Sequence, residues 1–202
     1  MTAFLGCSIL CIFLYNRNYS NDRWVAIIIG YLGTMQLLEY LMWIDQECTG
    51  LNQIATNIGF VHNILQPILS FTVAYTMTPK MPYWSYLLLL LYLVYSLPKI
   101  SNKKTDNQCS KPCSKENVGL SWEYTNTDNS LSVWMIFALA LSAPFLTMNK
   151  NGHIYFALLI GTYVLSCFIA QTRCTGSVIP SNGSWWCLMT TVIPFLAIFI
   201  NK

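Results

Sequence analysis

Charged residues are scarce in this sequence. Only 9% of its 202 residues are Asp, Glu, Lys or Arg, whereas about 25% is usual for a soluble domain. The shortage excludes an ordinary globular enzyme and a disordered tail. The net charge of +3 is also too small and too dispersed for the dense basic surface that binds nucleic acid, so no nucleic-acid partner is expected. Because 54% of the residues are hydrophobic, the lipid bilayer is the expected environment.

The motifs of several enzyme classes are missing as well. His62 and His153 are the two histidines of the chain, and two cannot build a three-histidine zinc site. No Gly-x-Ser-x-Gly elbow, P-loop or dinucleotide-binding glycine pattern is present. The last apolar run, 185–200, lacks the lysine that a retinal Schiff base needs. We therefore predict no cofactor, no metal and no catalytic residue, and keep a lipid-modifying enzyme only as a disfavoured alternative.

Long apolar runs predict an all-α fold, a polytopic transmembrane helical bundle. A helix needs about 20 residues to cross about 30 Å of hydrocarbon. Six runs of 16–25 residues approach this length: 24–44, 53–77, 82–97, 131–148, 153–171 and 185–200. A seventh and shorter run, 2–15, is expected to be a retained first span, which gives seven spans. Alternatively, run 2–15 is an interfacial or re-entrant segment, which leaves six spans.

The whole chain, 1–202, is predicted to be a single transmembrane domain. Continuous apolar runs argue against barrel strands, in which apolar and polar residues alternate. Pro67, Pro144 and Pro194 fall inside three runs, where each removes a backbone donor and allows a kink. A polar extramembrane segment, 99–130, interrupts the domain. It is either a solvated connector pinned by a disulfide, or a lumenal cap or partner-binding loop in which Trp122 and Tyr124 pack over the mouth of the bundle.

Seven spans place the N-terminus, the segment 99–130 and the loops around Cys48 and Cys174 on one side, called face A. The opposite side, called face B, carries Arg17, Lys80 and Lys150. Basic residues divide almost equally between the faces, so the positive-inside rule favours a cytoplasmic face B only slightly. Sequons on the two faces, at Asn182 on face A and Asn18 on face B, argue in opposite directions.

Cysteines decide the predicted orientation because five of them lie on or beside face A: Cys48, Cys109, Cys113, Cys174 and Cys187. Disulfides form in oxidising compartments. We therefore predict an integral membrane protein with its N-terminus outside or lumenal and its C-terminus cytoplasmic. The spacing of Cys109 and Cys113 also suggests zinc, but no nearby histidine completes four ligands, so disulfides are favoured. One of the five cysteines stays unpaired, and the pairing is open.

Glu39 is the most informative residue, because a charged group at the centre of a span costs about 2.5–3.5 kcal/mol or more. Gln36, Glu39 and Tyr40 share one face of their helix at spacings of three and four residues. The next run carries His62, Asn63 and Gln66, and the antiparallel helices are expected to bring these residues to Glu39. That brings the predicted site to six residues: Gln36, Glu39, Tyr40, His62, Asn63 and Gln66.

Two interpretations of these six residues stay open. The first is a site for an ion, a proton or a small polar ligand in a transporter-like or ligand-binding protein. The second is a hydrogen-bond network that only fixes helix packing, in a structural protein of a viral or cellular membrane. A homo-oligomer is compatible with either.

Three motifs resemble a family of small polytopic membrane proteins of large DNA viruses of protists, with relatives in bacteria. They are Q-x-x-E-x-x-x-W at Gln36–Trp43, H-x-x-x-Q-P at His62–Pro67 and G-S-x-W-C at Gly183–Cys187. The resemblance implies a viral or microbial membrane protein. It supplies no activity, but it strengthens Glu39, His62 and Gln66 as site residues.

Overall fold

A computed structural model describes residues 1–78, 80–101, 108–113, 119–122, 131–174 and 178–201. Its elements follow in chain order: α1 (Thr2–Arg17), α2 (Asp22–Ile44), α3 (Leu51–Met77), α4 (Tyr83–Ser101), β1 (Lys111–Pro112), β2 (Leu120–Ser121), α5 (Leu131–Ser142), a 3-10 helix (Ala143–Thr147), α6 (Gly152–Arg173), α7 (Val178–Thr190) and α8 (Ile193–Ile200). The all-α prediction is confirmed. The two antiparallel strands, with Lys111 opposite Ser121, are a small addition inside the polar segment.

Four helical stretches are long and apolar enough to cross a membrane: Asp22–Ile44, Leu51–Met77, Gly152–Arg173 and Asn182–Ile200, the last of which combines most of α7 with α8. The other apolar helices in the described ranges are shorter: Thr2–Arg17, Tyr83–Ser96 and Met135–Thr147. A helix of 16 residues such as α1 is about 24 Å long, less than the hydrocarbon thickness. The structure thus supports a membrane protein with four such helices, and seven spans stay a prediction.

Two prolines coincide with breaks in the helices. Helix α5 ends at Ser142, and Pro144 lies in the first turn of the 3-10 helix that follows. Helix α7 ends at Thr190, and Pro194 lies in the first turn of α8. Proline lacks an N–H and is accommodated in a first turn, where that donor has no helical partner. Pro67, in contrast, stays inside the continuous helix α3.

The first two helices pack closely through small residues. A Cβ added at Gly33 of α2 would lie 2.9 Å from Cys7 Sγ of α1, and one at Gly30 would lie 3.6 Å from Cys11 Sγ. Small residues at such positions let membrane helices approach closely. Helix α2 also packs against α3 and α7, so it is a central element of the bundle and positions Glu39 among them.

An ion pair between the partly buried Arg17 and the buried Asp22 lies at the face B end. Arg17 Nε donates to Asp22 Oδ2 at 2.7 Å, and Arg17 also donates to the main-chain carbonyls of Ala197 and Ile198. Asn201 Nδ2 donates to the other carboxylate oxygen of Asp22 at 2.8 Å. These bonds tie the junction of α1 and α2 to α8, so the charge of Arg17 is neutralised within the bundle.

Candidate functional site

Glu39 lies near the C-terminal end of α2, and only 5% of it is exposed. Gln36, one turn earlier, donates from Nε2 to Glu39 Oε2 at 2.8 Å. The second carboxyl oxygen, Oε1, has no hydrogen-bond partner in the described part of the chain. A buried polar atom without a partner costs about 1–3 kcal/mol, and more if it is charged. Glu39 therefore holds an unused acceptor inside the bundle.

Helix α7 and the polar segment supply the other neighbours of this carboxyl. The side chains of Ser184 and Trp122 lie beside Glu39, and so does the buried thiol of Cys187. The main-chain N–H of Leu120 approaches Ser184 Oγ at 3.5 Å and links strand β2 to α7. We call the set Gln36, Glu39, Trp122, Ser184 and Cys187 the Glu39 cluster.

Trp122 packs the polar segment against helix α7. Its side chain is 1% exposed and lies directly against Gly183, where an added Cβ would be 2.7 Å from both Cε3 and Cη2 of the ring. Glycine is favoured at this position because any side chain would overlap the indole where it now lies. Trp122 thus packs against the bundle, whereas Tyr124 lies outside the described residues, and the role of the segment as a cap stays a prediction.

His62 belongs to a different polar group, on the contact between α2 and α3. Its Nε2 lies 3.0 Å from the carbonyl of Tyr31 and 2.7 Å from Thr34 Oγ1. Gln66 Nε2 lies 3.1 Å from His62 Nδ1. Because a carbonyl only accepts, Nε2 carries the proton and Nδ1 accepts from the amide. The Tyr31 ring stacks on the imidazole at a centroid distance of 4.2 Å, so the neutral His62 is fully satisfied.

The structure therefore divides the six predicted site residues. It joins Gln36 to Glu39, and Gln66 to His62, but no hydrogen bond between described residues connects the two pairs. Asn63 is buried, whereas Tyr40 is 38% exposed and outside the buried cluster. A role for any of these residues in binding stays a prediction.

A third polar group anchors the loop between α2 and α3. The carboxylate of Asp45 accepts from the main-chain N–H groups of Thr49, Gly50 and Asn52 at 2.8–3.1 Å. These hydrogen bonds lower the pKa of Asp45 to about 2, and the bond from the N–H of Asn52 has the largest effect. Asn52 in turn exchanges two hydrogen bonds of 2.9 Å with the main chain of Ser110. The polar segment is therefore fastened to the start of α3.

Two disulfides hold the same segment. Cys48 is bonded to Cys109 and Cys113 to Cys174, each pair 61 residues apart in the chain. The prediction of disulfides is confirmed, and the zinc interpretation of Cys109 and Cys113 is wrong because both sulfurs are already bonded. Cys187 is the unpaired member of the five. Within the described residues, no group of three His, Cys, Asp or Glu side chains could hold a metal ion.

The sequence analysis did not identify several residues that contact Glu39, His62 or Asn52 in the structure. Ser184 and Cys187 belong to the G-S-x-W-C motif, which was a usable signal. Thr34 and Ser110 belong to no motif that could have indicated them.

The sequon at Asn182 cannot be used to assign the orientation of the chain. Asn182 is 2% exposed and accepts a hydrogen bond from Ser166 Oγ. A buried asparagine is not a glycosylation acceptor in the folded protein, so this sequon gives no information on orientation.

Comparisons with family models, curated proteins and solved structures find no match to this chain. The resemblance to viral membrane proteins therefore stays a prediction. Any functional conclusion has to rest on the residues of the polar groups described above and on their geometry.

Proposed function

We propose that this chain is a multi-pass membrane protein of the transporter-like or ligand-binding kind, in which Glu39 binds a proton, a cation or a small polar ligand. The observation that carries the proposal is Glu39 Oε1, a buried acceptor without a hydrogen-bond partner among the residues that the structure describes. A carboxyl group inside a membrane protein needs a proton, a cation or hydrogen-bond donors. Gln36 supplies one donor to Oε2, while Oε1, with the side chains of Ser184 and Trp122 beside the carboxyl, accepts no hydrogen bond from a described residue.

The position of the cluster favours access from face A. Glu39 is six residues before Asp45, or about 9 Å along the helix axis. Trp122, from the polar segment on that face, lies beside the carboxyl. Since Trp122 belongs to a segment joined to the bundle by disulfides, a ligand entering from face A has to pass a tethered cap.

A structural role is the second candidate, and the His62 group favours it. Both ring nitrogens of His62 are satisfied, by Tyr31 and Thr34 on α2 and by Gln66 on its own helix. Such a group holds two membrane helices together, as interhelical hydrogen bonds do in lipid. We assign His62 and Gln66 to packing and reserve binding for Glu39. If Glu39 also serves packing alone, the protein is a structural component of its membrane.

We also propose the orientation predicted from the sequence, with face A outside or lumenal. Both disulfides lie at this end of the molecule, and such bonds persist in oxidising compartments. Labelling of single introduced cysteines from either side of sealed vesicles tests this assignment. Labelling of face A positions from the cytoplasmic side would overturn it.

The proposed site is tested by proton and cation flux into proteoliposomes that contain wild-type protein, Glu39→Gln or Glu47→Gln. Glu47 is an exposed carboxylate in the loop after α2, so its variant removes the same charge outside the cluster. We expect flux in wild type and Glu47→Gln, and a loss of at least about ten-fold in Glu39→Gln, the equivalent of one charged hydrogen bond.

Thermal unfolding of the three proteins separates the two candidate functions. Flux that Glu39→Gln does not change would refute the site. Absence of flux and of ligand-induced stabilisation in all three proteins, with a lowered melting temperature only in Glu39→Gln, would establish the packing role instead.

A further inference from the structure

A polar cavity opens at the face B end, remote from the Glu39 cluster. Its volume is about 280 Å³, just below the range of about 300–1,000 Å³ that is usual for pockets of drug-sized ligands. The loop between α1 and α2 forms one wall, and the end of α3 and the segment after the 3-10 helix form the others. A group of the size of a lipid headgroup or a free anion fits this space.

The lining of the cavity is basic and rich in hydrogen-bonding groups. Arg23 is its cation, and the amides and hydroxyls of Asn18, Ser20, Thr78 and Asn149 are among its polar groups. No carboxylate belongs to this lining. The one acidic residue nearby in sequence, Asp22, is buried and already paired with Arg17. The cavity is therefore suited to an anion.

Arg23 is exposed and available for such a ligand. Its guanidinium lies 5.2 Å from the centroid of the Tyr15 ring, and no carboxylate in the described ranges pairs with it. Stacking on an aromatic face holds a guanidinium in place while its N–H groups stay free. Arg23 is thus a positioned cation without a counter-ion.

Trp24 adds an independent observation. It lines the same cavity, is 3% exposed, and its indole Nε1 is a buried donor without a hydrogen-bond partner among the described residues. A buried donor without a partner costs free energy, so a ligand acceptor that reached it from the cavity would stabilise the complex. A second cavity of about 240 Å³ adjoins the first, since both are lined by Tyr19 and Ser20, and it adds the cation of Lys150.

We propose that this cavity binds a phosphate group, with Arg23 as its main electrostatic contact and Trp24 as an additional donor. In the proposed orientation face B is cytoplasmic, and basic pockets between membrane helices on that side bind anionic lipid headgroups. The shared chemistry is the phosphate, and an anionic phospholipid or free inorganic phosphate can supply it. The site does not depend on the function of Glu39.

The test uses the purified full-length protein in detergent, titrated calorimetrically with dioctanoyl phosphatidylglycerol, dioctanoyl phosphatidylcholine or inorganic phosphate. The variants are Arg23→Gln, Trp24→Phe and, as a matched control, Lys80→Gln. Lys80 is exposed at the same end but does not line the cavity, so its variant removes one charge outside the site. Melting temperatures confirm that each variant is folded.

We expect phosphatidylglycerol to bind more tightly than phosphatidylcholine, and Arg23→Gln to weaken this binding at least about ten-fold. Trp24→Phe should weaken it less, because it removes one donor and keeps the ring, and Lys80→Gln should change it less than about two-fold.

The two sources of phosphate are distinguished by competition. Inorganic phosphate that binds as tightly as the lipid identifies a free-anion site, whereas Arg23-dependent lipid binding with weak phosphate binding identifies a headgroup site. No binding of either probe, or equal weakening by Arg23→Gln and Lys80→Gln, would overturn the proposal, because the latter result describes diffuse attraction to a basic surface.

Discussion

Substitution of Gly183 by alanine is expected to disturb the packing of Trp122 in the Glu39 cluster. The added Cβ would lie 2.7 Å from two atoms of the Trp122 ring, and a third ring atom is closer still. The rigid indole has to move away from the added methyl group, and because it is fully buried it can do so only by displacing its other neighbours. Overpacking of this kind costs about 1–3 kcal/mol, against a gain of up to about 1 kcal/mol from replacing a helical glycine.

Gly161 of α6 provides the matched control. An added Cβ there meets nothing within 4 Å, so Gly161→Ala receives the same gain in helix propensity without a clash. The difference in unfolding free energy between the two variants therefore isolates the steric cost, about 1–3 kcal/mol. For a chain of this size it corresponds to a difference of about 2–12 °C in melting temperature.

The assay is thermal or denaturant unfolding in detergent, followed by circular dichroism. A double-mutant cycle with Trp122→Leu completes it, since the cost of the methyl group at Gly183 should largely vanish once the indole is gone. Equal stability of Gly183→Ala and Gly161→Ala, or an unchanged penalty in the Trp122→Leu background, would refute the arrangement of Trp122 against α7.

Two further predictions concern the face A end. The pKa of Asp45 is lowered from 3.8 to about 2, so the stability that its carboxylate contributes is complete above about pH 4 and is lost as the pH falls through about 2. Melting temperatures measured between pH 5 and pH 2 should therefore fall more steeply in wild type than in Asp45→Asn. Parallel curves for the two proteins would contradict the role of these hydrogen bonds. The Cys48–Cys109 disulfide spans 61 residues and should contribute about 4 kcal/mol by restricting the unfolded chain. Denaturant unfolding of the double variant Cys48→Ser/Cys109→Ser checks this value. The control is Cys167→Ser, which removes an unpaired thiol. Equal stability of the double variant and the control would disprove the contribution of the disulfide.

The positions of the long helices followed from local properties of the chain. The predicted runs 24–44, 53–77 and 153–171 became Asp22–Ile44, Leu51–Met77 and Gly152–Arg173. A helix in lipid satisfies its own backbone, so the length of an apolar run sets its limits without reference to any partner. Breaks beside Pro144 and Pro194 are equally local, because proline lacks the donor that a continuous helix needs.

The partners of Glu39 could not be obtained in this way. Periodicity placed Glu39 and His62 on helix faces, but it did not show which side chains of the other helices would contact them. Glu39 is six residues before Asp45, whereas His62 is ten residues after Asn52, so they differ by about one turn along the antiparallel helices. Thr34, eleven residues before Asp45, matches the depth of His62 and becomes its partner. The neighbours of Glu39 come instead from α7 and the polar segment.

Composition and apolar run length alone thus indicated a helical membrane protein with a costly carboxyl in one span and oxidisable cysteines at one end. The choice among cysteine pairs, the separation of the Glu39 and His62 groups, and the cavity around Arg23 required the packed structure. The reason is physical: burial in lipid depends on the chain's own local polarity, whereas a contact between side chains depends on the relative height and rotation of helices that are distant in sequence.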